Sequence, residues 1–301
     1  MRLFALVSTH TDRHLYACAR GLLWQTDPFD AVVVSSDRPD DAIRAALADA
    51  IADSAAAGRP ATPVHLVWRE HQGVPRLSQV RNNAVRALLE TTPVDDTDGL
   101  VFIDGDIVLD PSAARAHRAM LRGAGAAACS RVELTEAQTA RALDDLRDAT
   151  LTPAELVTGE HRRALRARAR RFDRAATLAR LGGRRLGLVK SHKPKLIGCH
   201  LSVRAGVALA INGYDEAYEG YGFEDDDFSR RAHASGLCPR TAVGVERALA
   251  LHLWHPTRKL PDPAGTPAGR RFARRDLPVR AELGIDNPKP QPPLEIQRID
   301  R

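Results

Sequence analysis

Short apolar runs alternate with helical periodicity through the first 130 residues, and this alternation restricts the fold more than any other feature of the chain. Arg2 to Val7, Ala31 to Ser35, Val64 to Trp68 and Leu100 to Ile103 have the composition of buried strands. Between them, Leu15 to Trp24, Pro39 to Ala57 and Ser78 to Glu90 read as helices. Strands joined through helices make crossover units, so the expected class is α/β with a mostly parallel central sheet flanked by helices. In sheets of this kind a ligand sits beyond the carboxyl ends of the strands.

The residues just after each strand are therefore the ones to inspect. Thr9, His10 and Arg13 follow the first run, Ser36 and Asp37 the second, and Asp104 and Asp106 the fourth. Each alone is adequately explained as a solvated loop or a helix cap. Their shared position on one sheet edge is what points to a ligand.

The alternation stops at residue 131. Glu133 to Asp148 and Pro153 to Leu181 read as helices, and the second carries the basic stretch His161 to Arg171. Two readings stand: a solvated helical face, or a contact with an anionic acceptor or a membrane surface. Leu165, Phe172, Leu178 and Leu181 form an apolar stripe facing either the domain or a bilayer. A second α/β region follows, with a strand at Leu196 to Val203, a helix at Ala205 to Asn212 and a turn at Asn212 to Asp215. Phe223 to Ser235 reads as a helix with Glu224 to Asp227 in its first turn, and Ala248 to Leu253 as a last strand. Pro288, Pro290, Pro292 and Pro293 argue for an extended tail from Asn287 to Arg301. The expected organisation is one domain over 1–258, with a helical basic insertion at 131–195, and a Pro/Arg-rich extension over 259–301.

With 44% hydrophobic residues the chain can build a full core without disulfide or metal staples. Cys18, Cys129, Cys199 and Cys238 form no C-x-x-C pair, so they are expected as buried thiols in a reducing cytoplasm. No apolar run approaches the roughly 20 residues of a membrane span. A net charge of +6 suits an anionic ligand or an anionic membrane surface. No nucleic-acid-binding motif accompanies it, so nucleic acid is not an expected partner. The expected location is cytoplasmic, with peripheral contact at the inner face of a membrane as the second reading.

Four constellations carry chemistry. Asp104-Gly105-Asp106 ends an apolar run, so both carboxylates can address one hard cation, Mg²⁺ or Mn²⁺, with Gly105 leaving space for a ligand. Glu224-Asp225-Asp226-Asp227 crowds four like charges, which raises carboxylate basicity. The preceding Gly220-Tyr221-Gly222-Phe223 adds a flexible turn and aromatic faces of the kind that pack on sugar rings. His252-Leu253-Trp254-His255 brings two imidazoles where a strand gives way to a loop, and an imidazole beside Asp106 shifts preference toward Mn²⁺. On a strand the two rings would face opposite sides; in a turn both could reach one site. Arg81, in Ser78 to Ala84, could fork onto a phosphate.

These residues resemble those of GT-A-fold glycosyltransferases of families 2 and 7. Gly198 to Arg204, Ile211-Asn212-Gly213-Tyr214 and Gly220 to Phe228 are similar in order and spacing to the carboxy-terminal region of β-1,4-galactosyltransferases and to bacterial chondroitin-polymerase-type enzymes. The front half resembles family 2. The resemblance covers about residues 1–130 and 196–256, and Tyr221 departs from it where the motif usually has Trp. It implies an inverting enzyme that uses a nucleotide-sugar, UDP-linked, and a glycan or other hydroxyl acceptor. Asp225 would be the general base and Glu224 would position a sugar. Asp106, His255 and His252 would hold Mn²⁺ (or Mg²⁺). Thr9 and Asp37 would hold the nucleotide base and Asp104 would lie near the ribose or metal, with His10, Arg13 and Arg81 on the donor side. Tyr221, Gly222 and Phe223 would meet the acceptor. Two other classes fit parts of the pattern: a non-catalytic nucleotide-sugar or glycan-binding module, and a metal-dependent nucleotidyltransferase or phosphohydrolase.

Overall fold

The computed structural model describes residues 1–38, 40–148, 152–220, 222–256 and 262–300. The front half runs β1 (Leu3–Thr9), α1 (Leu15–Leu23), β2 (Ala31–Ser36), α2 (Asp41–Ala56), β3 (Val64–Trp68), α3 (Leu77–Thr91) and β4 (Gly99–Asp104). A middle region adds β5 (Ile107–Leu109), α4 (Ala113–Arg122), β6 (Ala126–Ala128), β7 (Val132–Glu133), α5 (Glu136–Arg147) and α6 (Gly159–Arg180). The back half holds β8 (His200–Arg204), α7 (Ala205–Ala210), α8 (Glu224–Ala234), β9 (Thr241–Val243), β10 (Ala250–His252), α9 (Pro267–Ala273) and β11 (Glu295–Ile299).

Eight strands form one sheet in the order β11-β3-β2-β1-β4-β8-β6-β9. The block β3-β2-β1-β4 is parallel, as the alternation requires. β8 runs antiparallel to both β4 and β6, and β11 antiparallel to β3. Alternate residues of β1 enter two different cores: Phe4 and Leu6 pack on one face, Leu3, Ala5 and Val7 on the other. A strand covered on both faces has to be apolar at every position, which is why its sequence reads as a continuous run rather than an alternation. β5, β10 and β7 form a second sheet in the order β5-β10-β7.

Several elements differ from expectation. Glu133 was expected to open a helix but ends β7, which pairs with β10 at Glu133↔His252. The tail was expected to be extended, and it is, but it is also tied down. The Arg86 guanidinium donates to the carbonyls of Ile285 and Gly284, Lys289 N donates to Glu216 Oε2 at 2.8 Å, and β11 closes the sheet edge. The four prolines all precede β11, where no ladder hydrogen bond is needed. The four cysteines are buried free thiols.

The turn after α7 is the joint between the halves. Asn212 and Gly213 both have left-handed backbone, φ 62° and 67°, as a tight Asn-Gly turn demands. Asn82 on α3 grips it in both directions: its side chain accepts from Tyr214 N and donates to Tyr214 O, each at 2.8 Å. From the other side the fully buried Arg231 of α8 donates to the carbonyls of Ile211 and Gly213, both at 2.8 Å, and pairs with buried Asp227 at 2.6 Å. Removing one partner of a buried ion pair leaves a bare charge. Asp227→Ala should therefore lose about 3–5 kcal/mol of unfolding free energy in urea titrations. A loss within about 1 kcal/mol, the range of an exposed pair, would contradict this reading.

Candidate active site

The carboxyl ends of β1, β2 and β4 open into a cleft of about 900 Å³. Thr9 at the end of β1, His10 and Arg13 from the loop after it, Asp37 after β2, Asp104 at the end of β4 and Asp106 after it all line it, as do His252 and His255. The sheet accounts for the grouping. β1 pairs with β4 at Ser8↔Asp104, and Ser8 Oγ donates to Asp104 Oδ1 at 2.9 Å. Gly105 does not make space for a ligand as expected; that space belongs to Thr9, whose Cβ and Oγ1 would lie 2.9 Å from any Cβ at position 105.

At one end of the cleft Asp106 Oδ2 lies 3.0 Å from His255 Nε2 and 3.4 Å from His252 Nε2. Asp106 Oδ1 is buried without a hydrogen-bond partner. The chain leaves β10 at His252, so the strand's alternation no longer applies and both imidazoles reach the same carboxylate, with ring centroids 5.2 Å apart. The backbone carrying His255 is fixed by His14, whose Nε2 pairs with Trp254 O at 2.9 Å. Glu133 on β7 hydrogen-bonds His252 Nδ1. Burial works against a charged His252, but the bonds to Asp106 and Glu133 outweigh it and push the imidazole up to about 9. An unpaired carboxylate oxygen, two converging imidazoles and a carboxylate behind one of them make a donor set that fits a divalent ion such as Mn²⁺.

A second cluster, His117, Cys129 and His200, lies in the core. Its ring nitrogens are already satisfied: His117 Nδ1 by Ser202 Oγ at 2.9 Å, His200 Nδ1 by Ser130 O at 2.8 Å, and the two Nε2 atoms by each other at 3.1 Å. Burial drives His200 down to about 4, so it is a neutral core residue that does not line the cleft.

The four-acid run does not itself line the cleft, and it divides. Asp227 belongs to Arg231 and Arg230, and Asp226 to Lys195 at 3.0 Å and His192 at 3.7 Å. Glu224 and Asp225 turn to Arg81, which lies 2.9 Å from Asp225 Oδ1, 3.5 Å from Glu224 Oε1 and 3.2 Å from Asp104 Oδ1. The phosphate role expected of Arg81 does not match this placement. The guanidinium is 3% exposed and its fork is filled by carboxylates from both acidic clusters. Burial opposes its charge, yet Asp225 and its other neighbours hold its pKa well above the usual range. Gly198 is required here, since any Cβ would run into that guanidinium.

Gly222 N donates to Glu224 Oε2 at 2.9 Å. Phe223, a non-glycine at φ 68°, stacks on Phe272 of α9 with centroids 5.5 Å apart, so one of its faces is already covered. Tyr221, the third acceptor residue expected, lies outside the described residues. Asp37 lines the cleft but is engaged by Arg69 at 2.7 Å and His71 at 2.8 Å. Sequence reasoning passed over Arg131, Glu133, His14 and Asn82. Only Asn82, adjoining Arg81 in a run of polar residues on an otherwise apolar helix, carried a visible signal.

Residues 187–251, from the loop before β8 into β10, match a family model described as the N-terminal domain of galactosyltransferase. The chain has the GT-A fold, and its segment 187–251 is similar to that family. Among solved structures it is similar to S. aureus TarS 1–349 in complex with UDP-GlcNAc, at 11% identity and a TM-score of 0.52, over 86% of this chain and 60% of that one. The UDP complex of the same fragment matches at 12% identity and 0.51, over 83% and 60%. The chain thus spans about three fifths of these two structures, and identities this low speak for the fold alone. No curated protein matches the sequence at a significant level. In this GT-A domain the matched segment contains Arg81's acidic partners Glu224 and Asp225 but ends just before His252 and His255.

Burial, followed by the Asp225 charge, pushes the Glu224 carboxyl up to about 7, Arg81 offsetting only part. The folded value lies above the ordinary one, so the stability carried by the protonated form is present at acid pH and is lost as pH rises through about 7. Glu224→Gln cannot ionise. Its melting temperature should gain on the parent's between about pH 5 and about pH 8. A difference that stays flat across that range would show that Glu224 is not the group titrating.

Proposed function

We propose that this protein is an inverting, metal-dependent glycosyltransferase that moves a sugar from a UDP-sugar to a hydroxyl acceptor. One observation carries the reading: the cleft ends in an unsatisfied Asp106 carboxylate with two imidazoles, while Arg81 ties Asp104 on its wall to the Glu224–Asp225 pair. A donor diphosphate would lie toward Asp106 and the acceptor toward Asp225.

In the proposed reaction the acceptor oxygen attacks the anomeric carbon from the face opposite the diphosphate. Its proton passes to Asp225, the new glycosidic bond forms, and the bond from the anomeric carbon to the diphosphate oxygen breaks with its electron pair leaving on UDP. Asp225 offers a carboxylate oriented at Oδ1 by Arg81, which keeps it in place without occupying the donor site. Asp106, His252 and His255 would hold Mn²⁺, which when bound supplies positive charge beside the leaving diphosphate. Arg13 and Arg131, the latter paired with Glu133, line the cleft and would face the diphosphate in place of Arg81. Glu224 would position a sugar, and Phe223 would present its uncovered face to the acceptor. Residues 1–258 would form the catalytic unit, with 131–195 inserted in it and 259–301 strapped across it.

Asp225→Asn should lower UDP release in the presence of acceptor by about 10²–10⁴-fold while leaving UDP-sugar affinity near that of the parent. Asp106→Ala should remove the Mn²⁺ dependence of UDP binding in calorimetry. Normal turnover in the first variant would dismiss Asp225 as base, and unchanged Mn²⁺-dependent UDP affinity in the second would dismiss the metal site. Retention of the donor's anomeric configuration in the product would exclude a single displacement.

A further inference from the structure

Helix α6 and the turn after it form a surface that the proposed reaction does not use. The helix buries only Leu165, Ala169 and Phe172, an apolar stripe at helical spacing facing the domain. Its eight arginines, at 162, 163, 166, 168, 170, 171, 174 and 180, are all exposed, against two acids on the same helix, Glu160 and Asp173. Three of the arginines have partners: Arg168 on Ser130 Oγ, Arg162 on Ala154 O at 3.1 Å and Arg166 on Glu246 at 3.8 Å. The others face water with no ion pair or hydrogen bond among the described residues.

Beyond the helix the chain doubles back in a built turn. Gly183 N bonds Leu178 O and Leu188 N bonds Gly183 O, both at 2.8 Å, and Arg184 closes it onto Lys193 O at 2.6 Å. This turn holds Leu181, Leu186 and Leu188 outward at 68%, 70% and 64% exposure, with the exposed Leu178 beside them. Large apolar side chains presented together by an ordered backbone mark a contact surface. Arg180, Arg185 and Lys190 interleave with them. Leucines to insert, ringed by cations to meet charge, are complementary to the interface of a bilayer that carries anionic headgroups.

We infer that α6 and the 178–190 turn dock this protein on an anionic lipid bilayer, the leucines entering the headgroup boundary and the arginines lying along it. The turn leads directly to the acidic first turn of α8: His192 and Lys195 both lie against Asp226, and four residues from Leu188 to His192 span at most about 14 Å. A docked molecule would hold its acceptor end beside the membrane. That consequence rests on the acceptor role proposed for Asp225; the docking itself does not.

The test is co-sedimentation of the full chain with vesicles of phosphatidylcholine alone and of phosphatidylcholine mixed equally with phosphatidylglycerol. No donor, acceptor or turnover enters the assay, so it fails or succeeds independently of the enzyme reading. Binding is expected to the mixed vesicles only. Replacing Arg170, Arg171 and Arg174 by Gln should weaken it by roughly a hundredfold, at about fivefold per charge. Replacing Leu181, Leu186 and Leu188 by Ser should weaken it by at least about tenfold. All six positions are exposed, and melting temperatures near the parent's would show the variants folded. Equal binding to neutral vesicles, no binding to either, or leucine variants that bind like the parent would each overturn the proposal. Tight binding to heparin that displaces the vesicles and ignores the leucines would assign the surface to a soluble polyanion instead.

Discussion

A guanidinium buried in the middle of the molecule organises the site. Arg81 sits between Asp104, from the end of a central strand, and Glu224 and Asp225, from the first turn of a helix more than a hundred residues later. A cation so far from water persists only where acids meet it in good geometry. The constraint also works in reverse, because the crowded carboxylates of α8 would repel one another without it. Gly198 exists for the same arrangement, as the one residue type that lets the backbone before β8 pass over the guanidinium. The cleft wall at Asp104 and the Glu224–Asp225 pair are therefore mechanically one object.

Around this pair the fold is stiffened by polar residues that perform no chemistry. Asn82 holds the Asn212-Gly213 turn to α3, and Glu216 gathers Gln79, Asn82, Arg86 and the backbone of Lys289 on one buried carboxylate. These bonds tie α3, the turn and the carboxy-terminal strap together beneath Arg81. A site mounted on elements cross-linked this way keeps its side chains in place before a ligand arrives.

Much of this was legible. Alternating runs identified β1 to β4 because strands buried on both faces must be apolar throughout, and the edge they share located Thr9, Asp37, Asp104 and Asp106. The tripeptide strands β5, β6 and β9 were not legible, since Ile-Val-Leu, Ala-Ala-Ala and Thr-Ala-Val are too short to show any period. Arg131 and Glu133 were assigned to an insertion because the alternation stops there, yet β7 stitches Glu133 into the second sheet beside His252. The role of Arg81 was misread because an arginine on a polar helical face looks the same in sequence whether it points to a phosphate or to three acids.

From the order of its residues alone, this chain determines a parallel sheet with its polar loops on one edge, two acidic clusters and a His-x-x-His segment at a strand end. Those follow from local physics: periodicity, turn chemistry and like charges placed side by side. Only the tertiary structure decides which charges meet. It gives Asp227 to Arg231, Asp226 to Lys195, and Asp225 to Arg81, and it turns two histidines three residues apart onto one aspartate. Pairing between residues far apart in sequence depends on where the sheet and helices carry them. Four adjacent acids that look equivalent in sequence therefore end up in three environments.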